Sequence, residues 1–265
     1  MKVSLPISLS FLLFCLLHTS CGRSYRQRST SMEKTIMAGQ KFTVHPSDSF
    51  ERNDMVVFDY YGKDYSAPLE EDPRQFKMHW EKRIFRIVAV SGDIVEIREG
   101  YLFVNNKAVA PPPLSKSPYI IKASVDPDLS QLDPNAAGTS TQIGDTLLVT
   151  AELTSTEADS LKNSKNIWSV ERYLMNFSDT LFAMNSETDN WSLDNYGPLK
   201  IPSVREAINV NTENYKLFKN IPGIKMGSNL VKDKLYFVLG DSRSGAEDSR
   251  FIGLIPHSSI NGIVK

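Results

Sequence analysis

Cysteine is nearly absent from this chain of 265 residues: the two present, Cys15 and Cys21, both lie near the N-terminus. That excludes a disulfide framework and a cysteine-held metal site in the folded part. Histidine is scarce, with four in all, and no spacing of ligand-type residues reads as a zinc site. No charge of one sign predominates. The formal net charge is -1, which leaves no electrostatic footprint for nucleic acid. No apolar run reaches the ~20 residues that a spanning helix needs. There is no internal repeat and no low-complexity tract, and neither a cofactor nor a metal is expected.

What is present is enough apolar character, 41% of residues, to bury a core in one large domain or one domain with an insertion. Met1 to Ser20 reads as a targeting segment. Lys2 gives a positive start, Leu5 to Leu17 the apolar run, and His18-Thr19-Ser20 a small polar finish. Leu16 to Gly22 resembles a bacterial lipoprotein signal, in which Cys21 would become the lipidated first residue. The other reading is an uncleaved anchor. Arg23, Arg26 and Arg28 follow the run and only Lys2 precedes it, so an anchor left in place would hold the arginine side in the cytoplasm. Residues 21–28 then read as a polar tether.

The most informative stretch lies near the end, Tyr236 to Pro256. Tyr236 to Leu239 is short, apolar and β-prone, and Gly240 stops it, which predicts a buried strand. The loop that follows gathers Asp241, Arg243, Glu247, Asp248 and Arg250 around Gly245. Opposite charges at that density predict pairs that fix the loop's shape. By charge alone, a solvated hairpin loop is an equal reading.

The order of residues adds to this. Gly240-Asp241-x-Arg243, then Asp248-Ser249-Arg250-x-x-Gly253, resembles the last signature segment of bacterial signal peptidase I, the serine–lysine proteases that cut signal peptides from exported proteins. Other stretches agree. Ser29-Thr30-Ser31-Met32-Glu33-Lys34-Thr35 resembles the family's Ser-x-Ser-Met-x-Pro-Thr. The resemblance puts Ser31 at the nucleophile position and Ser29 at the position whose hydroxyl helps the oxyanion hole. Lys34 stands where the family has proline. Arg52-Asn53-Asp54-Met55-Val56-Val57-Phe58 resembles a family strand, with Asn53 in place of a common glycine; both residues tolerate a left-handed turn. Phe85 to Asp93 resembles the family's Lys-Arg-x-x-Gly-x-Pro-Gly-Asp.

A serine hydroxyl is a weak nucleophile until a base takes its proton. In this family the base is a lysine whose ordinary value of ~10.4 is brought toward ~7–8 by burial. The family lysine stands eight residues before the aspartate of the Gly-Asp turn. Here that residue is Phe85, with Arg86 in its expected place beside it. A phenyl ring cannot accept a proton. The serine that orients the lysine is also replaced, by Ala246, two residues before Asp248. Arg86, Asp241, Arg243, Asp248 and Arg250 match as structural support. Lys82 is the nearest substitute base, but three residues from Phe85 on a regular strand points it to the other face. His45, His79 and His257 sit in loop-like polar contexts and read as surface or satisfied histidines.

The implied fold is mostly β: an antiparallel, partly barrel-like core formed by 29–110 and 232–265, interrupted at 111–231 by an inserted β-rich lobe. Within that stretch Asp126 to Thr141 reads as loop, Thr146 to Ala151 as strand, Thr154 to Lys165 as helix and Ser169 to Phe177 as strand or short helix. Tyr60 to Trp80 reads as a loop or hairpin over the site. The resemblance implies a bacterial envelope protein, membrane-anchored and facing outside the cytoplasm, whose partners are extended peptides or signal peptides. Three functions stay open: a relative with lost or weak endopeptidase activity that binds extended peptides or an envelope partner, an active peptidase working through Ser31, and a purely structural envelope lipoprotein.

Overall fold

The structure, a computed structural model, describes residues 22–63, 78–133, 136–175 and 191–265. The targeting segment, Cys21 and most of the Tyr60–Trp80 stretch lie outside the described residues. The first part of the chain forms β1 (Arg23–Arg26), β2 (Lys41–His45), β3 (Met55–Lys63), β4 (Met78–Val90), β5 (Ile94–Arg98), β6 (Tyr101–Val104) and β7 (Lys107–Ala108). Then come β8 (Ser117–Ser124), β9 (Ala137–Ile143), β10 (Thr146–Leu153), α1 (Ser155–Leu161) and β11 (Ile167–Arg172). The chain closes through β12 (Tyr196–Lys200), β13 (Ala207–Val210), α2 (Tyr215–Phe218), β14 (Gly227–Leu230), β15 (Leu235–Leu239), α3 (Ser249–Ile252), β16 (Ile255–Pro256) and β17 (Ile260–Val264).

The fold is mostly β and antiparallel, as the sequence implied. Its main sheet has seven strands in the order β1-β2-β17-β3-β4-β15-β16, so it stays open at β1 and β16 rather than closing into a barrel. β15 is the partition on which two cores meet. All five of its residues are buried, and alternation along a strand sends successive side chains to opposite faces. Leu235, Phe237 and Leu239 join one apolar cluster with Val88, Val95 and Leu254. Tyr236 and Val238 join the other, with Met32, Phe58, Phe85 and Ala246. Fully burying such a side chain is worth about 1.5–3 kcal/mol.

The stretch 111–231 divides in two. β8–β11 form their own sheet, in the order β11-β8-β10-β9, over a separate cluster that includes Tyr119, Ile121 and Leu161. β12 instead pairs with β5, and Leu199, Val210 and Phe218 pack in the first core cluster. The expected helix is present and shorter: Thr154 caps it, with Glu157 completing a capping box. Ile167–Arg172 is a strand. The loop expected over Asp126 to Thr141 is corrected, because β9 begins at Ala137. Every residue of β9 is exposed, so no buried alternation marks it in the sequence. Arg23–Arg26, expected as tether, is the edge strand β1, paired with β2; stacked Tyr25 and Phe42 rings, 6.1 Å apart, help hold it.

Candidate active site

Ser31 sits at the start of a tight turn. Ile36 donates its amide to Met32 O at 2.8 Å and Glu33 donates to Thr30 O at 2.9 Å. Met32 has no exposed surface and pins the turn to the core. Lys34 takes φ +70°, a left-handed conformation closed to proline, whose ring fixes φ near −65°. The Lys-for-Pro exchange read in the sequence therefore goes with a differently shaped turn.

The last signature segment is wired to this turn. Ser242 donates its amide to Ser31 O at 3.0 Å, and the Thr35 hydroxyl donates to Asp241 Oδ2 at 2.6 Å. Asp241 is fully buried and receives Arg86 in a two-point pair, at 2.9 and 2.7 Å. Arg86 also donates to Asn53 O at 2.8 Å. Asn53 has φ +80°, the left-handed turn expected there. A second buried pair joins Asp248 to Arg250, at 2.9 and 2.8 Å. Asp248 also accepts the Gly240 amide at 3.1 Å, and Arg250 donates to Arg243 O at 2.6 Å. Apart from Arg243, which donates to the Gly240 carbonyl, the charged residues of the loop are thus paired, and the solvated-hairpin reading is set aside. Where two charges are buried together, each depends on the other's company.

Around Ser31 the Phe85 ring and the Ala246 methyl pack closely. The Ser31 and Ser29 hydroxyl oxygens lie 2.9 Å apart, so the two predicted residues are brought together. Ser29 is the one hydrogen-bond partner of the Ser31 hydroxyl among the described residues. The Phe85 ring is 3% exposed and lies 6.0 Å from the Phe58 ring. A Cβ on Gly240 would meet Ala246 Cβ at 2.3 Å, Ser31 O at 2.7 Å and Phe85 Cε1 at 3.4 Å. Glycine is required at this position because the Ser31 backbone, the Phe85 ring and the Ala246 methyl converge on it.

Lys82 and Ser31 line one groove of about 770 Å³, but no hydrogen bond joins them. The Lys82 ammonium donates to Asp59 Oδ1 and Asn261 Oδ1, both at 2.6 Å. Burial alone would raise the Asp59 carboxyl, but Asn261 and Lys82 hold it below its ordinary value. Neither Asp59 nor Asn261 stands out in the sequence as a lysine partner. The cross-strand register of Asp59 with Lys82 is the one signal, and it needs the β3–β4 pairing to be known first.

One wall of the groove is Ser24 to Ser31 and another is Trp80 to Phe85 of β4. β4 pairs with β3 along this length, while β15 pairs with it only at Arg86 to Val90. One edge of β4 therefore has no strand beside Trp80–Phe85 among the described residues. Trp80 is 69% exposed there. Among the described residues no cluster of ligand-type side chains could hold a metal, and no helix is long and apolar enough to cross a membrane.

The site is thus an open antiparallel sheet that carries a serine turn, a charged last loop wired to it and a groove alongside. Over residues 1–265 the chain matches the family described as signal peptidase, peptidase S26, and it belongs to that family. Its function is accordingly signal-peptidase-I-like, and signal peptides are the substrates the family implies. No curated protein matches the chain.

Proposed function

We propose that this chain is a signal-peptidase-like envelope protein that binds extended peptide segments and has lost endopeptidase activity. What supports the reading is the Phe85 ring, buried near the Ser31 backbone, at the position where the sequence resemblance puts the family's base. Without a proton acceptor, the Ser31 hydroxyl stays a weak nucleophile. The groove keeps what a bound peptide would use. The β4 edge beside Trp80–Phe85, which no strand covers among the described residues, offers backbone hydrogen bonds to an added strand, and the flanking side chains offer pockets for alternate residues.

Lys82 is the residue that would support the active alternative, since it lines the same groove. Its ammonium is engaged by Asp59 and Asn261, and no hydrogen bond joins it to Ser31. Cys21 as a lipidated first residue would place β1 two residues from the membrane surface, and mass spectrometry of the mature N-terminus tests that.

For activity, protein beginning at Gly22 is incubated with a fluorogenic signal-peptide substrate. Wild type is expected to bind the peptide and leave it uncut. Phe85→Lys combined with Ala246→Ser is expected to cut it, and Ser31→Ala added to that pair to abolish the cutting. Cleavage by wild type that Ser31→Ala removes would overturn the reading, and Lys82→Ala would then show whether Lys82 is the base.

A further inference from the structure

A cavity of about 500 Å³ lies away from the Ser31 groove, where the β8–β11 lobe meets the main body. Four arginines line it: Arg52, Arg86, Arg172 and Arg243. No aspartate or glutamate does, among the described residues. Two of the four are spent on carboxylates, Arg52 on Asp93 and Arg86 on Asp241. The other two make no ion pair among the described residues.

Arg172 donates through Nη1 to Gly100 O at 3.1 Å, and its guanidinium lies 4.9 Å from the centroid of the Tyr101 ring. Its Nε is buried with no hydrogen-bond partner. An unmatched buried donor of this kind costs about 1–3 kcal/mol. Arg243 donates through Nη1 to Gly240 O at 2.9 Å. Burial, with Arg250 and Arg86 nearby, pulls its guanidinium down to about 10, although Asp241 and Asp248 act to raise it. Most of the rest of the wall is apolar, including Leu102, Val109 and Pro112, with Asn53 and Ser117 as polar members. The volume falls in the ~300–1,000 Å³ range of small-molecule sites.

We propose that this cavity binds an amphipathic organic anion, with a phosphate or carboxylate group held by Arg172 and Arg243 and an apolar body against Leu102, Val109 and the proline run. Two guanidinium groups suit such an oxyanion because their planar donors match its geometry. The chemistry is shared by a free phosphate ester and by an anionic lipid headgroup, and the assay separates them.

Isothermal titration of the protein beginning at Gly22 uses 1-naphthyl phosphate, 1-naphthol, inorganic phosphate and monomeric dihexanoyl phosphatidylglycerol. Naphthyl phosphate is expected to bind at least tenfold more tightly than either naphthol or inorganic phosphate. Tighter binding of the short-chain lipid than of naphthyl phosphate identifies a headgroup site, and the reverse order identifies a free ester. Arg172→Gln is expected to weaken binding at least tenfold and Arg172→Lys to restore part of it. Val109→Trp, which fills the cavity and leaves the charges alone, is expected to abolish binding. No binding of naphthyl phosphate, or equal affinity in Arg172→Gln and Val109→Trp, overturns the proposal. The readout involves neither Ser31 nor peptide, so it fails or succeeds independently of the function proposed above.

Discussion

Lys34 carries a backbone cost that its side chain does not reveal. At φ +70° an L residue with a Cβ is strained by about 1–2 kcal/mol, and proline cannot occupy the position at all. Restoring the family residue is therefore expected to harm this protein. Lys34→Pro should lower the unfolding free energy by at least ~2 kcal/mol, while Lys34→Gly should stay within ~1 kcal/mol of wild type. Urea titration of both compares them, and a Pro variant as stable as the Gly variant would refute the turn described here. Asp248 makes the opposite case, a side chain whose partner is the issue. Asp248→Asn leaves the Arg250 guanidinium, 2% exposed, without its counter-charge, at an expected cost of about 3–5 kcal/mol. Asp59→Asn, on an exposed pair, should cost less than ~1 kcal/mol by the same measurement. At this scale the sequence was informative where spacing alone decides. The three-residue step from Phe85 put Lys82 on the other face of a regular strand; in the fold its ammonium goes to Asp59 and Asn261 while the residue still lines the Ser31 groove. The φ of Lys34 was not legible, because the residue itself favours no such angle.

The elements that touch the serine turn come from far along the chain. Glu33 receives Lys116 at 2.7 Å, and Lys34 pairs with Glu157 of α1, so the β8–β11 lobe grips the turn from two sides. Lys116 also continues into the last segment: its amide donates to Asp241 O at 2.7 Å, and its carbonyl accepts the Arg243 amide at 3.0 Å. The lobe is thus part of what sets the position of Ser31. A double-mutant cycle on Glu33→Gln and Lys116→Met is expected to return a coupling near 1 kcal/mol, larger than a cycle on the exposed Lys162–Asp159 pair. Equal couplings would mean that the lobe merely rests on the turn. β15 and the charged loop were legible because a short β-prone apolar run and turn residues are local signals. The lobe's grip was not, since Lys116 and Glu157 read as ordinary surface charges until the fold brings them to residues 33 and 34. β9 was hidden for a related reason: all of its side chains face solvent, and period-2 burial has nothing to show.

Across the whole molecule, several contacts that hold separate parts together end on carboxylates kept below their ordinary values. Burial alone would raise Asp93, but Arg52, the Val90 amide and Asn105 together lower it from 3.8. Burial likewise opposes, and Lys34 and Thr154 outweigh it, in lowering Glu157 from 4.5. A carboxyl depressed in the folded state contributes stability that is complete above its unfolded value and is lost as pH falls through the folded one. The thermal midpoint should therefore be flat above about pH 5 and fall as the pH drops below about 4. Arg52→Gln separates one contributor from the rest. It removes the cation beside Asp93, so the folded carboxyl returns toward its unfolded value and its share of the acid loss disappears. The variant should be less stable than wild type at pH 7, with the gap narrowing at pH 3. Melting curves at the two pH values measure it, and a gap that stays constant would mean the Arg52–Asp93 pair contributes nothing through its charge.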